Sequence, residues 1–190
     1  MLDDPYIDPR TGILRNKAGL ATQKKLDGFE AEQTWLRLSQ LAANPLPGNF
    51  DAAHFRAIHR FIFQDVYDWA GQYRTVRTSK GGNAFCYPEH IPAQMDLLFR
   101  SIRGGEAFAE KSRSEFPRET ARFLGELNAI HPFREGNGRA QLAFLGLIGA
   151  TADRPFAFER LDRNAFLQAM IESFFGRFEG LTAELEKLLT

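Results

Sequence analysis

The nine residues HPFREGNGR, from His131 to Arg139, bring one histidine, one carboxylate, two glycines and two arginines within reach of each other. Each of these residue types serves phosphate chemistry. Pro132 disfavours helical backbone at the residue before it, so a preceding helix should stop at His131 and present the imidazole at a mouth. Gly136, Asn137 and Gly138 then give a flexible backbone ahead of a new helix. The free amides and positive end of that helix would form a cradle for an anion. Arg139, on its first turn, can direct a forked donor back to the same anion. Glu135 would repel a bare phosphate and therefore suits a site in which Mg²⁺ lies between the two. His131, with an unperturbed pKa of about 6.5, can accept a proton from an attacking hydroxyl near neutral pH. Together these parts specify phosphate-ester transfer from a nucleotide.

Taken singly, each part has a plainer reading. A lone histidine is commonly a structural helix end, a lone GxG a turn, and Glu135 with Arg139 an i,i+4 surface pair worth a few tenths of a kcal/mol. Their assembly in register between two good helices separates the set from coincidence.

The elements that must position these groups are mainly helical. After a turn-rich lead-in with Pro5, Pro9 and Gly12, residues 22–43 have helical character, and NPLPGN breaks them. Asp51 can cap a helix carrying Phe55, Ile58 and Ile62, which ends ahead of Trp69, Ala70 and Gly71. Residues 73–87 read instead as a short β-hairpin or flap, with Tyr73, Thr75, Val76 and Thr78 favouring strand and Lys80, Gly81, Gly82 and Asn83 at the tip. A helix with Ile91, Met95, Leu98 and Ile102 on one side follows Pro88. Ser112 and Glu115 have capping-box spacing ahead of a helix through Phe116, Phe123, Leu127 and Ile130, which delivers His131. Ala140, Phe144, Leu147, Ile148 and Thr151 mark a mainly buried helix after the motif. Asp162 can cap another through Phe166, Ala169, Met170 and Phe174, and LTAELEKLLT supplies the last. The expected architecture is one mainly α domain over residues 1–190, a helical bundle with a β-hairpin flap beside the active site.

Composition sets the outer limits. The 190 residues suit one domain with a proper core, at 44% hydrophobic and 25% charged residues. Lys and Arg total 24, balanced by 24 Asp and Glu, so the overall charge favours neither nucleic acid nor a membrane surface, and any phosphate site must be local. Cys86 is alone, which rules out an intrachain disulfide and a cysteine-rich zinc site and fits a reducing cytoplasm. The start, MLDDPYIDPRTG, lacks the pattern of a secretory signal, and no run approaches the roughly 18 apolar residues of a membrane span. His54 and His59 stand five apart, poor spacing for a shared metal, and are expected to be satisfied structurally. Nothing near Cys86 suggests a depressed pKa. Trp35, Trp69 and the 18 phenylalanines are expected in the core.

HPFREGNGR resembles the signature of Fic proteins: His, any residue, Phe, any residue, Asp or Glu, Gly, Asn, Gly, Arg, two residues, then a second Arg. The match is complete through Arg139. DVYDWAGQYRT and SKGGNAFCYP resemble the family's segments upstream of the motif, and DPYIDPRTGILRN resembles the start of short bacterial toxin-like members. The resemblance implies a Fic core that transfers AMP from ATP, with Mg²⁺, to a hydroxyl of Ser, Thr or Tyr on a target protein. By that resemblance His131 is the catalytic base, Glu135 the magnesium ligand, Gly136, Asn137 and Gly138 the anion hole, and Arg139 a phosphate contact. Phe133 anchors the loop. The flap residues Ser79, Lys80, Gly81 and Gly82 line up the target's backbone by strand addition, with Phe85 a clamp on the modified segment.

One position departs from the pattern. Leu142 stands where the family's second arginine would contact the γ-phosphate and partner an inhibitory glutamate. Loss of such a contact costs about 1.5–3 kcal/mol unless Arg134, Lys80 or another cation replaces it. The inhibitory helix pattern is also missing: its nearest approach, Thr182 to Glu186, is followed by Lys187. Restraint would then fall to a separate small antitoxin-like protein. Two alternatives stand beside adenylyl transfer: a Doc-like kinase that binds the nucleotide reversed, and a catalytically weak module that binds nucleotide or a partner.

Overall fold

Asp51 does what its place after the NPLPGN break predicts: its carboxylate accepts a hydrogen bond from the His54 amide at 2.7 Å and starts a helix. The computed structural model of the chain describes residues 4–190. In chain order its helices are α1 (Gln23–Ala43), α2 (Ala52–Phe63), α3 (Ile91–Ser101), the single turn α4 (Glu106–Ala109), α5 (Phe116–Ile130), α6 (Asn137–Thr151), α7 (Arg163–Phe174) and α8 (Glu179–Leu188). The two short strands are β1 (Ser79–Lys80) and β2 (Asn83–Ala84). The chain is thus mainly α with one hairpin, as the sequence implies.

Local chemistry explains most boundaries. Ser112 and Glu115 exchange side-chain and backbone bonds as a capping box, Ser112 N–H to the Glu115 carboxylate at 3.1 Å and Glu115 N–H to Ser112 Oγ at 3.3 Å. Regular helix begins one residue later at Phe116, with Pro117 in its first turn. Asp162 accepts from the Asn164 and Ala165 amides and starts α7.

The centre of the molecule is α2. Phe55, Ile58, Ile62 and Phe63 on it are fully enclosed, and it packs between α1, α3 and α6. Phe144 on α6 meets Phe55 at a ring-centre distance of 5.5 Å and Phe99 of α3 at 5.4 Å, with Phe123 of α5 beside them. A second, smaller cluster joins α5 and α6 to α7 and α8 through Leu124, Leu145, Phe166, Met170, Leu181 and Leu185. The helix carrying His131 and the helix beginning after Gly136 are therefore both buttressed by aromatic and aliphatic packing. That packing fixes the loop between them.

Three expectations shift. On α3 the buried stripe is Ile91, Met95 and Phe99, an i,i+4,i+8 row, and Leu98 is only partly covered. Trp35 is 69% exposed on the outer face of α1, because the buried side of that helix runs through Leu26, Thr34 and Leu41. The hairpin is also shorter than residues 73–87. Ladder pairing joins Ser79 to Ala84 and Lys80 to Asn83, and one more bond, Phe85 N–H to the Thr78 carbonyl, extends it. Gly81 and Gly82 both have positive φ, the requirement of a two-residue type I′ turn.

Phe144→Ala should lower the free energy of unfolding by about 3–5 kcal/mol, read from urea denaturation, since a fully enclosed ring in contact with at least three others leaves a cavity that helices cannot collapse to fill.

Candidate active site

Helix α5 ends at His131, which adopts left-handed backbone (φ 49, ψ 62) and donates its amide to the Leu127 carbonyl. The left-handed turn swings the chain away from the α5 axis and sets the imidazole at the helix end. Its ring lies flat against Phe85 just beyond the hairpin, with centres 3.8 Å apart and planes inclined by 8°. Phe174 of α7 closes on Phe85 edge-on. Among the described residues the buried Nδ1 atom meets no hydrogen-bond partner. Burial, then the charge of Arg74, and more weakly that of Lys80, push the imidazole down to about 4, with the Asn128 carbonyl acting in the opposite direction. At neutral pH the ring is uncharged and able to accept a proton.

The motif turns back at Gly136, whose φ of 83 only glycine adopts readily and where an added Cβ would lie 2.2 Å from the Phe63 ring. Asn137 opens α6 and is buried. Its side chain braces the loop by accepting from Phe133 N–H at 2.9 Å and donating to the Phe133 carbonyl at 2.8 Å. Only its backbone is left to face a ligand. The first helical bond runs from Ala140 N–H to the Gly136 carbonyl, so the amides of Asn137, Gly138 and Arg139 have no partner within the helix. A Cβ built on Gly138 meets nothing within 4 Å. Packing does not demand glycine there, whereas close approach of an anion to the helix N-terminus would.

His59 of α2 holds this loop from below. Gly71 N–H donates to its Nδ1 at 2.9 Å, which leaves the proton on Nε2 to be donated to the Glu135 carbonyl at 2.9 Å. Phe133 stacks on the imidazole at 3.7 Å and Phe63 on its ring at 4.6 Å. Burial drives its pKa to about 3, so it stays neutral. His54 is satisfied in the same manner, by the Leu46 carbonyl and the Phe50 amide. Both histidines are structural, as their spacing implies.

Arg139 reaches over the Phe63 ring at 4.7 Å. It is held by α1: one guanidinium nitrogen donates to Glu30 at 2.6 Å, another to Thr34 Oγ1 at 3.4 Å, and Glu135 stands 3.4 Å away. The Tyr67 hydroxyl donates to the same Glu30 carboxylate, and burial with that carboxylate raises the Tyr67 pKa. Glu135 is exposed and accepts from the Gly136 amide at 2.9 Å. Among the described residues no group of three or more His, Cys, Asp or Glu is arranged to hold a metal unaided. A lone carboxylate at the lip of an anion cradle suits Mg²⁺, which takes one or two carboxylates and completes its shell with substrate phosphates and water. Arg134 is committed to Asp4 at 2.8 Å, and Leu142 packs at the edge of the second apolar cluster. Neither offers a cation in place of the second arginine.

A Fic/DOC family profile matches residues 49–148, more than half of the chain. The chain belongs to the Fic/DOC family. It is 44% identical over 190 residues to the probable protein adenylyltransferase y4lH of Sinorhizobium fredii, covering 99% of this chain and 97% of that one. It is 32% identical to the protein adenylyltransferase VbhT of Bartonella schoenbuchensis, over 99% of this chain but 39% of that protein. In structure it resembles an N-terminal Fic domain from Bartonella quintana solved with bound ADP, with a TM-score of 0.90, 26% identity, and coverage of 97% of this chain and 94% of that one. Among the described residues no helix is long and apolar enough to cross a membrane.

Glu135, the start of α6 and Arg139 thus lie together, and His131, four residues ahead of Glu135, lies against Phe85 of the flap. Ser79, Lys80, Gly81 and Gly82 are exposed at the hairpin, while Phe85 is nearly buried against His131. Sequence reading missed Glu30 and Thr34 on α1 and Tyr67 after α2, because nothing local to either segment signals that it packs against the motif. Arg74 was also missed, although burial of an arginine this complete is rare.

His59 is expected to make the fold acid-sensitive. An unfolded imidazole titrates at about 6.5 and the folded one at about 3, so its contribution is full above pH 6.5 and is lost as pH falls through that window. Urea denaturation should show a loss of about 2 kcal/mol from this group between pH 7 and pH 5. His59→Phe should be less stable than the parent at pH 7, with a flatter dependence on pH.

Proposed function

We propose that the protein is a Mg²⁺-dependent adenylyltransferase that moves AMP from ATP to a Ser, Thr or Tyr hydroxyl of a target protein. The observation that carries this reading is an uncharged His131 beside an unpartnered helix N-terminus, with Glu135 and Arg139 at the rim. The relatives named protein adenylyltransferases and the fold likeness to an ADP-bound Fic domain support it.

The amides at the start of α6 hold anionic phosphate, and the open space at Gly138 lets it approach the backbone. Arg139, oriented by Glu30 and Thr34, turns donors toward the same charge. Glu135 would hold Mg²⁺, which when bound would supply positive charge to the transferring phosphate. The target hydroxyl gives its proton to His131, its oxygen bonds to the α-phosphorus, the bond to the β-phosphate oxygen breaks, and pyrophosphate leaves. The negative charge of bound nucleotide raises the proton affinity of His131 in the complex. The exposed hairpin aligns the target by adding its backbone as a strand, which reads little side-chain identity. Phe85 orders both the imidazole behind it and the segment ahead of it.

The chain acts in the cytoplasm of the cell in which it is made, in keeping with the single Cys86, whose thiol burial pushes up in pKa. Restraint of this activity we assign to a separate small antitoxin-like protein that would bring the inhibitory glutamate.

Label from the α-phosphate of ATP should pass to protein in a bacterial lysate with Mg²⁺, and His131→Ala should reduce it about 10²- to 10⁴-fold, the usual contribution of a general base. Label from the γ-phosphate alone would make the protein a kinase, and none from either would leave a binding module. The pH dependence gives a second check. kcat/KM reports the free enzyme, in which His131 titrates at about 4. It should stay level from pH 7 to 5.5, where an imidazole at about 6.5 would lose about tenfold. Phe85→Ala, by uncovering the ring, should move that acid limb upward.

A further inference from the structure

Arg74 is 1% exposed, the largest of the fully enclosed side chains. Among the described residues no carboxylate pairs with it. Its guanidinium is satisfied entirely by backbone: Nε donates to the His131 carbonyl at 2.8 Å, Nη1 to Val76 at 2.7 Å, and Nη2 to Cys86 at 2.6 Å and Ile130 at 3.2 Å. Two of these carbonyls belong to the end of α5, where the helix dipole favours a cation. The other two flank the hairpin on either side. The backbone repeats the link, with Arg74 N–H bonding to the Pro132 carbonyl at 2.8 Å and Cys86 N–H to Ala129 at 3.1 Å.

From this geometry we infer that Arg74 is a positioning residue for the transfer reaction: it locks the His131 end of α5 to both arms of the flap, so that base and target strand are held in one frame. The inference rests on the adenylyltransferase reading for its catalytic consequence, but not for its structural one. A buried cation without a counter-ion is costly to keep, and removing its side chain leaves several carbonyls without donors. Such an arrangement is retained for what it orders. The rigid guanidinium fork is the side chain able to meet carbonyls from two directions at once, and lysine offers only a point charge on a flexible stem. The anion cradle at α6 and the Glu30–Arg139 pair lie outside its reach of hydrogen bonds, so nucleotide capture and base placement are separable. The charged and titratable groups bearing on this corner are Arg74 and Lys80 on the His131 side, with Arg134, the Tyr6 hydroxyl and the Cys86 thiol around Arg74 itself.

The test compares parent, Arg74→Lys and Arg74→Gln in the full chain. ATP binding by calorimetry in Mg²⁺ should keep its stoichiometry, with Kd within about twofold of the parent. Amide exchange at Phe85 and Cys86 should accelerate at least tenfold relative to α2 in both variants. The His131 ring, followed by NMR, should titrate higher in Arg74→Gln than in Arg74→Lys, which keeps the charge. α-Phosphate transfer should fall at least tenfold in kcat in both. If the parent transfers no AMP, the adenylyltransferase reading fails, while the exchange and titration results still judge the role of Arg74. Unchanged exchange at Phe85 and Cys86, or a loss confined to nucleotide affinity, would overturn the inference. Failure of both variants to fold would also overturn it, by making Arg74 a general support of the fold.

Discussion

A neutral imidazole bonded to backbone at both nitrogens, His59, is the contact on which the site depends. It accepts from Gly71 and donates to the Glu135 carbonyl, so it ties the segment leading to the flap to the HPFREGNGR loop. Holding the two bonds together requires the uncharged form, because a second proton would remove the Nδ1 acceptor used by Gly71 while leaving the Nε2 donor. Burial between Phe63 and Phe133 enforces that form. The aromatic core around α2 therefore does more than hold helices together. It sets the protonation state of the group that fixes the motif loop.

The site lies between two opposed helix ends. The C-terminus of α5 has its carbonyls met by the Arg74 cation, and the N-terminus of α6 leaves amides open toward the mouth. The chain reverses between them through left-handed backbone at His131 and Gly136. On the proposed reading one end supplies a base kept neutral by burial and a nearby positive charge, and the other a positive field for phosphate. Arg139 and Glu135 occupy the rim, where α1 contributes Glu30 and Thr34.

Much of this was legible from residue order. Caps at Asp51 and Asp162, the capping box at Ser112 and the Gly81–Gly82 turn are local signals, and local signals survive into the structure because they act over three or four residues. HPFREGNGR was legible because its chemistry is contiguous. The remaining groups join the site across long separations. Glu30 meets Arg139 from 109 residues away and Arg74 meets His131 from 57, and no periodicity encodes such pairings. Trp35 was misplaced for a related reason: an aromatic residue reads as core, and only the packing of α1 on α2 decides which face is covered. Asn137 was legible in position but not in orientation, since its side chain turns inward to Phe133.

On the proposed reading the start of α6 receives phosphate, and Gly138 is the position at which filling the cradle can be measured without disturbing the fold. Its Cβ position faces open space, so Gly138→Val leaves the fold intact and fills the cradle. Calorimetric titration with ATP and Mg²⁺, beside a thermal melt of the same variant, should show an unchanged melting temperature and at least a tenfold loss of affinity. Equal affinity in Gly138→Val and the parent would contradict the account and place the phosphates elsewhere.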